Sequence, residues 1–483
     1  MVTSIVSLPA RHAAERPGEL ALVSIDRAWT FAELDAAVAG IAARLHEAGV
    51  RPRNVVATDL PAALDWLVGL ALLRLASRGL SLNGMTTAPS TAVDVLVTRP
   101  GARLVPSSLV VEVDEFWVAG GLERASEAPM FAYARPDSIC RLILTSGTTG
   151  APRAAALTVQ AVEHRLAHLH HYWSDERREL ELMSLSTTGG FHSALAALQH
   201  GVPYLAVDHI NAASLRLAAE HGVRVLCGSP VHLGTALRVL AEHDIALPTL
   251  DEVRVAGAAA SDSLLRAIEQ QLGVPVRGVY GSTEGGGAAM RMLASGDDAA
   301  AVGAPLPGVE LQIVDDADKP VAAGVDGFVR YRGRGLAAGY LEHGELVEGD
   351  VHGGWFYPGD TGTLRDGQLE LGGRKSEVLN LGGTKVDPER IDEIAREFVG
   401  VRDAAAYPIE RRPGIVEIGL AVVAEPHCDL RALDAHLRKV LPGRFPTVFG
   451  RVAEVPRNRM GKVQRHLLTT EFARRFAVPD APR

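Results

Sequence analysis

Apolar positions along the chain fall into two rhythms. Phe31, Leu34, Val38, Ile41 and Leu45 recur every three or four residues after a Thr30/Glu33 pair with capping-box spacing and before Gly49, which predicts an amphipathic helix. Unbroken apolar residues at 55–58 predict a strand, and the apolar stretch 64–74 a second helix, so the chain opens in a βα manner. Farther on, short apolar runs at 204–207, 223–227, 253–256 and 276–280 alternate with helical segments, one of them starting at Ser261 and stopped by Gly273. Such alternation predicts a doubly wound α/β architecture. From 303 to 340 the pattern changes to β-branched runs and turns, with strands expected at 309–314, 327–332 and 335–340, hence a β-rich subdomain. A last change follows Asp387 and Pro388, which mark a helix start. Strand-like runs at 404–409 and 415–423 and a helix reaching Val440 predict a small α+β domain. Residues 81–106, rich in Ser, Thr, Pro and Gly, carry no clear element.

Composition narrows the class. With 483 residues, 47% of them hydrophobic, the chain is long enough for two or more domains. A net charge of −9 with both signs interspersed argues against nucleic acid or an anionic membrane as the main partner. Cys140, Cys227 and Cys428 are far apart and show no metal-ligand spacing, which fits buried thiols in a reducing compartment. The first residues lack the layout of a secretory signal, and the longest apolar run, 64–76, contains Asp65 and Arg74 and is too short to span a bilayer. A cytoplasmic protein without a membrane span is expected.

The candidate chemistry sits in loops that follow strand-like runs. Leu142, Ile143 and Leu144 lead into Thr145-Ser146-Gly147-Thr148-Thr149-Gly150-Ala151-Pro152-Arg153, where glycines free backbone N–H groups for an anion, hydroxyls add donors and Arg153 adds charge. This is how a polyphosphate site is written, although the Walker A spacing is absent. The run 276–280 ends in Tyr280-Gly281-Ser282-Thr283-Glu284, a second such loop, in which the Glu284 carboxylate suits a Mg²⁺ also held by phosphate oxygens. Asp360, in Tyr357-Pro358-Gly359-Asp360, either accepts from both hydroxyls of a ribose or forms an Asx turn. Gly189-Gly190-Phe191-His192 brings an aromatic and an imidazole to a helix start, where His192 lines a pocket or caps. His164 and His168 have i,i+4 spacing without a carboxylate partner pattern and read as a solvated helix face.

Four separated motifs, namely 145–153, 280–284, 357–360, and Gly373-Arg374 through Gly383-Thr384-Lys385-Val386, together resemble the ANL adenylate-forming enzymes in order and spacing. A fifth, Pro456-Arg457-Asn458-Arg459-Met460-Gly461-Lys462-Val463-Gln464-Arg465, resembles the C-terminal lysine loop of that family. The resemblance implies an N-terminal adenylation domain (residues 1–376) of doubly wound α/β subdomains plus a β-rich subdomain. A small mobile α+β domain (residues 377–483) would follow, hinged at Glu377. It implies that the loop from Thr145 to Arg153 cradles the β- and γ-phosphates of ATP, that Thr283 contacts the α-phosphate, and that Glu284 holds Mg²⁺. Asp360 and Arg374 would bind ribose, with Tyr280 and Gly281 near adenine. Lys462 would bridge the substrate carboxylate and the α-phosphate, then swing away while the Gly382-Gly383 turn approaches a pantetheine arm.

The implied activity is ATP-dependent activation of a carboxylic acid through an acyl adenylate, with acyl transfer to CoA or to the phosphopantetheine of a separate carrier protein. Phe191, His192, Gly257 and Ala258 would line the acyl pocket, and the small residues 256–260 and the lack of a Phe-Asp pair for an α-ammonium point to a fatty or aryl acid. A free-standing monomer or homodimer is expected. Arg153 where the family usually has Lys, Ser376 where it has Asp and Asn380 where it has Lys are departures. Arg153 keeps the positive charge, while Ser376 and Asn380 leave open a nucleotide-binding homologue without ligase activity; transfer to a non-thiol acceptor is a further alternative. An α/β-hydrolase is excluded by the lack of a G-x-S-x-G elbow.

Overall fold

The computed structural model describes residues 5–83, 89, 91–102, 105–114, 117, 129–145, 152–169, 178–260, 262–297, 300–374, 379–381, 384–386, 388–412, 415–440, 446, 448–457, 463–465 and 467–469. The expected opening helix is Phe31–Glu47. Glu33 N–H donates to Thr30 Oγ1 while the Thr30 N–H donates to Glu33 Oε2 at 2.8 Å, closing the capping box, and Phe31, Leu34, Val38, Ile41 and Leu45 are all buried. These side chains pack with the helix Ala62–Arg74 and with a parallel sheet into one core.

Two large sheets organise the N-terminal part. In the first, Val55–Asp59 runs parallel to Arg78–Ser81 on one side and Val93–Thr98 on the other. Arg78–Ser81 pairs in parallel with Ile139–Thr145, which turns back antiparallel into Arg153–Thr158. The region 81–106, left without elements by its composition, therefore holds the end of one strand of this sheet and the whole of another. Their apolar residues are short runs between turns and lack the alternation that marks a half-buried strand.

In the second sheet, Glu179–Glu181, Val225–Gly228, Glu252–Ala256 and Val276–Ser282 are parallel neighbours in that order. The sheet continues without a break into antiparallel strands, Gly286–Leu293, Ala301–Pro305, Gln368–Arg374, Asp360–Arg365 and Gly327–Arg332. The expected β-rich subdomain is thus an extension of the doubly wound sheet. One expected element differs. A strand was predicted over 335–340, but pairing begins at Tyr340–Glu342. Gly339 adopts φ +131°, and a Cβ there would lie 2.3 Å from the Val347 carbonyl oxygen, so the preceding residues run as a glycine-bounded loop.

The C-terminal residues form their own layers. Pro388–Arg396 and Leu430–Val440 pack on the sheet of Val401–Arg412, Ile415–Ala424 and Val448–Arg451, with Ile391, Ile394, Leu420, Val422, Leu433 and Leu437 in a separate core. This is the small α+β domain expected from the last change of pattern. No helix among the described residues is long and apolar enough to cross a membrane.

Candidate active site

The carboxyl ends of strands from both large sheets open onto one cavity of about 680 Å³. It is lined by Thr145 and Arg153 from the first sheet, by Glu181, Cys227, Ala256, Gly257 and Gly281 to Glu284 from the second, and by Tyr357 to Asp360 from its antiparallel extension. Ligands in open α/β sheets bind outside the carboxyl ends of the strands, and three of the sequence motifs meet there.

Thr145 and Arg153 face each other in register as the last and first residues of an antiparallel pair, and both line the cavity. Of the loop between them, Ser146, Gly147, Thr148, Thr149 and Gly150 lie outside the described residues. Arg153 is held in place by other groups: its Nε donates to Glu342 Oε1 at 2.7 Å, and its guanidinium carbon stands 3.5 Å from the centroid of the Tyr340 ring. The Tyr340 hydroxyl lies 2.9 Å from Glu284 Oε1 and 3.1 Å from Asp350 Oδ2, donating between the two carboxylates. Burial and the flanking carboxylates push this phenol far above its ordinary range, so it remains a donor.

The loop after Val276–Ser282 is fastened from behind. Gly285 N–H donates to Ser282 Oγ at 2.9 Å, and the buried Arg165 reaches the carbonyls of Thr283 and Glu284 at 3.1 and 2.9 Å and that of Gly335 at 2.6 Å. A Cβ on Gly281 would stand 2.2 Å from the Gly286 carbonyl oxygen, so only glycine lets the two strands close here. Glu284 is buried, and no Lys or Arg forms a salt bridge with it among the described residues. Tyr280 donates through its hydroxyl to Asp360 Oδ2 at 2.5 Å, and Asp360 pairs in register with Arg374.

The acyl-pocket expectations divide. Thr187 caps the helix Thr188–His200, accepting from Gly190 N–H, and Gly190 has no room for a Cβ, which would lie 2.2 Å from the Ser184 carbonyl oxygen. His192 and Gly257 line the cavity, whereas Phe191 does not: successive helical side chains point about 100° apart, and its ring packs in the core beneath the Arg141 guanidinium. Ala258 is exposed and away from the cavity lining. The paired His164 and His168, expected on a solvated face, are half-buried with ring centroids 4.1 Å apart and line the cavity, because their helix packs against the 335–340 loop through Arg165. Arg374's side chain, Glu377 and Lys462 lie outside the described residues.

Comparison with known proteins agrees with this geometry. The sequence model of the AMP-binding enzyme family matches residues 9–77 and 86–341. The chain is 28% identical to a 4-chlorobenzoate–CoA ligase from Arthrobacter sp., covering 95% of this chain and 94% of that one. It is 29% identical to the medium/long-chain-fatty-acid–[acyl-carrier-protein] ligase FadD10 of Mycobacterium tuberculosis, covering 94% and 93%. In structure it resembles the o-succinylbenzoate CoA synthetase MenE of Bacillus subtilis, solved with an acyl-adenylate intermediate, with a TM-score of 0.83 and 21% identity over 96% of this chain and 97% of that one. The chain belongs to the AMP-binding enzyme family, and the relatives it matches over nearly their whole length are acid–thiol ligases.

Proposed function

We propose that this enzyme binds ATP with Mg²⁺ in the cavity between its two sheets, joins a small carboxylic acid to AMP with release of pyrophosphate, and passes the acyl group to the thiol of CoA or of a carrier-protein pantetheine. The observation that carries this reading is the convergence of Thr145, Arg153, Thr283, Glu284 and Asp360, from three motifs far apart in sequence, on one cavity. The residues fit the expected metal: Glu284 presents a buried carboxylate with no salt-bridged cation among the described residues, and hard oxygen donors suit Mg²⁺. Bound there, the ion would supply Lewis-acid stabilisation of phosphate charge.

The chain's own groups do the rest. Thr145, Thr283 and the loop 146–151 offer donors to phosphate oxygens. Asp360, oriented by the Tyr280 hydroxyl, accepts from ribose hydroxyls, Arg374 donates to the ribose oxygens, and Tyr280 and Gly281 border the base. Lys462 brings an ammonium between two anions, the carboxylate and the α-phosphate, which otherwise repel as the nucleophile approaches. The C-terminal domain, hinged at Glu377, carries Lys462 in for the first half-reaction and out for the second. Its separate sheet and core support movement as a unit.

Carboxylate-dependent exchange of pyrophosphate into ATP tests the reading: exchange with one class of acid is expected, and measurable ATP binding without exchange from any acid would overturn it. For Asp360→Ala the expected outcome is a rise of about ten- to hundredfold in KM for ATP, the loss of hydrogen bonds to a charged group, with KM for the acid little changed. Steady-state kinetics with each substrate varied in turn checks this, and an unchanged KM for ATP would remove Asp360 from the ribose site.

A further inference from the structure

The floor of the cavity carries charge where an acyl pocket needs none. The parallel strands Glu179–Glu181, Val225–Gly228 and Glu252–Ala256 are buried on both faces, a setting that ordinarily selects continuous apolar runs. Here they carry Glu179, Glu181, Glu252 and Arg254, each under 9% exposed. Most of this charge is matched. Glu179 Oε2 meets Arg254 Nη1 at 2.8 Å, Arg254 Nε meets Glu252 Oε1 at 2.7 Å, and Glu252 is gripped by Arg277 at 2.9 and 3.1 Å. Two carboxylates and two guanidiniums thus alternate in a neutral chain. Ser193 Oγ, 3.1 Å from Glu179 Oε1, completes the surroundings of that carboxylate.

Glu181 stands outside this chain. It lines the cavity, accepts from the Met183 N–H at 2.8 Å and from the Cys227 thiol, and forms no ion pair among the described residues. Burial and the neighbouring Glu179 push its carboxyl up to about 8. A second group beside the cavity has one ring atom without a partner. His192 is 94% buried, since only 6% of it is exposed, and its Nδ1 donates to the Thr188 carbonyl at 2.8 Å. Burial holds the ring neutral, its pKa lowered to about 3, so Nε2 carries a lone pair, and that atom has no hydrogen-bond partner. A buried carboxyl that only a neighbouring cation would ionise and a buried acceptor without a donor therefore face one cavity, and the acceptor costs free energy until a donor arrives. Both call for N–H groups, and Glu181 calls for positive charge.

Resting on the proposed acid-activating function, we infer that the substrate is a carboxylic acid bearing a basic amine at the end remote from its carboxylate, with the ammonium held by Glu181 and His192 Nε2. Remoteness follows from the sheet. The Glu181 strand lies three strand spacings, about 14 Å, from the strand that ends in the Thr283–Glu284 loop, so an α-ammonium falls short. A metal is the poorer occupant. Glu179, Glu181 and Cys227 place ligand atoms within 4.8 Å of one another, but burial and the two carboxylates raise the Cys227 thiol well above its ordinary range, and Glu179 is committed to Arg254.

The test compares ω-amino fatty acids and aminomethyl aryl acids with the same acids bearing methyl in place of the ammonium, by pyrophosphate exchange. Wild type is expected to favour the amino acid of a matched pair. Glu181→Gln, which keeps size and hydrogen bonding, should lower kcat/KM for the amino acid by about ten- to hundredfold and leave the methyl analogue within a fewfold. His192→Leu should act in the same direction, covering a folding failure of the first variant. Binding is read separately, by calorimetry with an alkyl- or arylalkylamine that lacks a carboxylate. Amine binding lost in Glu181→Gln, without exchange from any acid, would keep this assignment and sink the ligase reading. Exchange that favours methyl analogues, or is indifferent to both variants, would overturn the assignment and leave the ligase reading standing.

Discussion

Replacing Lys462 by alanine is expected to slow acyl-adenylate formation by about a hundred- to thousandfold, the usual cost of removing one contact that strengthens in the transition state, while thioester formation from a supplied acyl adenylate continues at nearly the wild-type rate. The reasoning is electrostatic. A carboxylate must attack a phosphorus surrounded by anionic oxygens, and an ammonium placed between them offsets the repulsion. In the second half-reaction the nucleophile is a thiol and the leaving group is AMP, so the same ammonium has no such task. Lys462 belongs to the motif 456–465, whose Arg457 is anchored to Asp403 at 2.7 Å and whose Arg465 pairs with the buried Asp392 at 2.8 Å. Both ends of the motif are thus tied to the C-terminal domain. Single-turnover measurement of each half-reaction decides the matter. Equal loss of both would mean that Lys462 serves the fold or a shared binding step, and the two-position scheme would fail.

What could be read before the structure was local. The capping box at Thr30, the strand-to-loop transition at Thr145 and the turn before Asp360 are each signalled by residues adjacent in the chain and stand where expected, while the strand expected to end at Tyr280 runs on to Ser282. Because loops at strand ends in an open α/β sheet share one rim, the order of the motifs was enough to bring them together. Phe191 shows the limit of such reading, since a motif position does not say which way a helical side chain points.

The support of the site was not legible. Arg165 holds carbonyls 118 and 119 residues away, and Arg153 meets a carboxylate 189 residues away. No spacing rule announces such partners, and Arg165 sits in a helix whose sequence is that of an ordinary amphipathic segment. Tyr340 was assigned to a strand for its β propensity, while its importance lies in the hydroxyl shared by Glu284 and Asp350. The cavity floor did leave a signal. Glu179-Leu180-Glu181 and Glu252-Val253-Arg254 alternate charge with aliphatic residues in strands that α/β packing buries on both faces. A solvated face explains such alternation in antiparallel sheets, but here it marks a face that must be matched internally or by a ligand.

For Glu284→Gln the expected result is a fall of about a hundred- to thousandfold in kcat for adenylation, with a Mg²⁺ requirement shifted to higher concentration, because several kcal/mol of charge stabilisation depend on a carboxylate at this position. The substitution is chosen for what it preserves. Glutamine keeps an oxygen that can accept from the Tyr340 hydroxyl, and the backbone carbonyl of residue 284 keeps its bonds to Arg165 and to the Ala337 N–H at 2.7 Å. The loop therefore stays in place while one negative charge is lost. An effect on folding would appear as a lowered melting temperature in the absence of nucleotide, and an effect on metal binding as a melting temperature that no longer rises when Mg²⁺ is added to the ATP complex. Tyr340→Phe supplies the contrast. It leaves the charge on Glu284 and removes only the donor that orients it toward Asp350, so a smaller loss of about tenfold is expected, the worth of one hydrogen bond to a charged group. If Glu284→Gln retained the wild-type rate and Mg²⁺ dependence, the carboxylate would be a structural partner of Tyr340 alone. The metal would then have to be sought at Asp350, which shares the same hydroxyl.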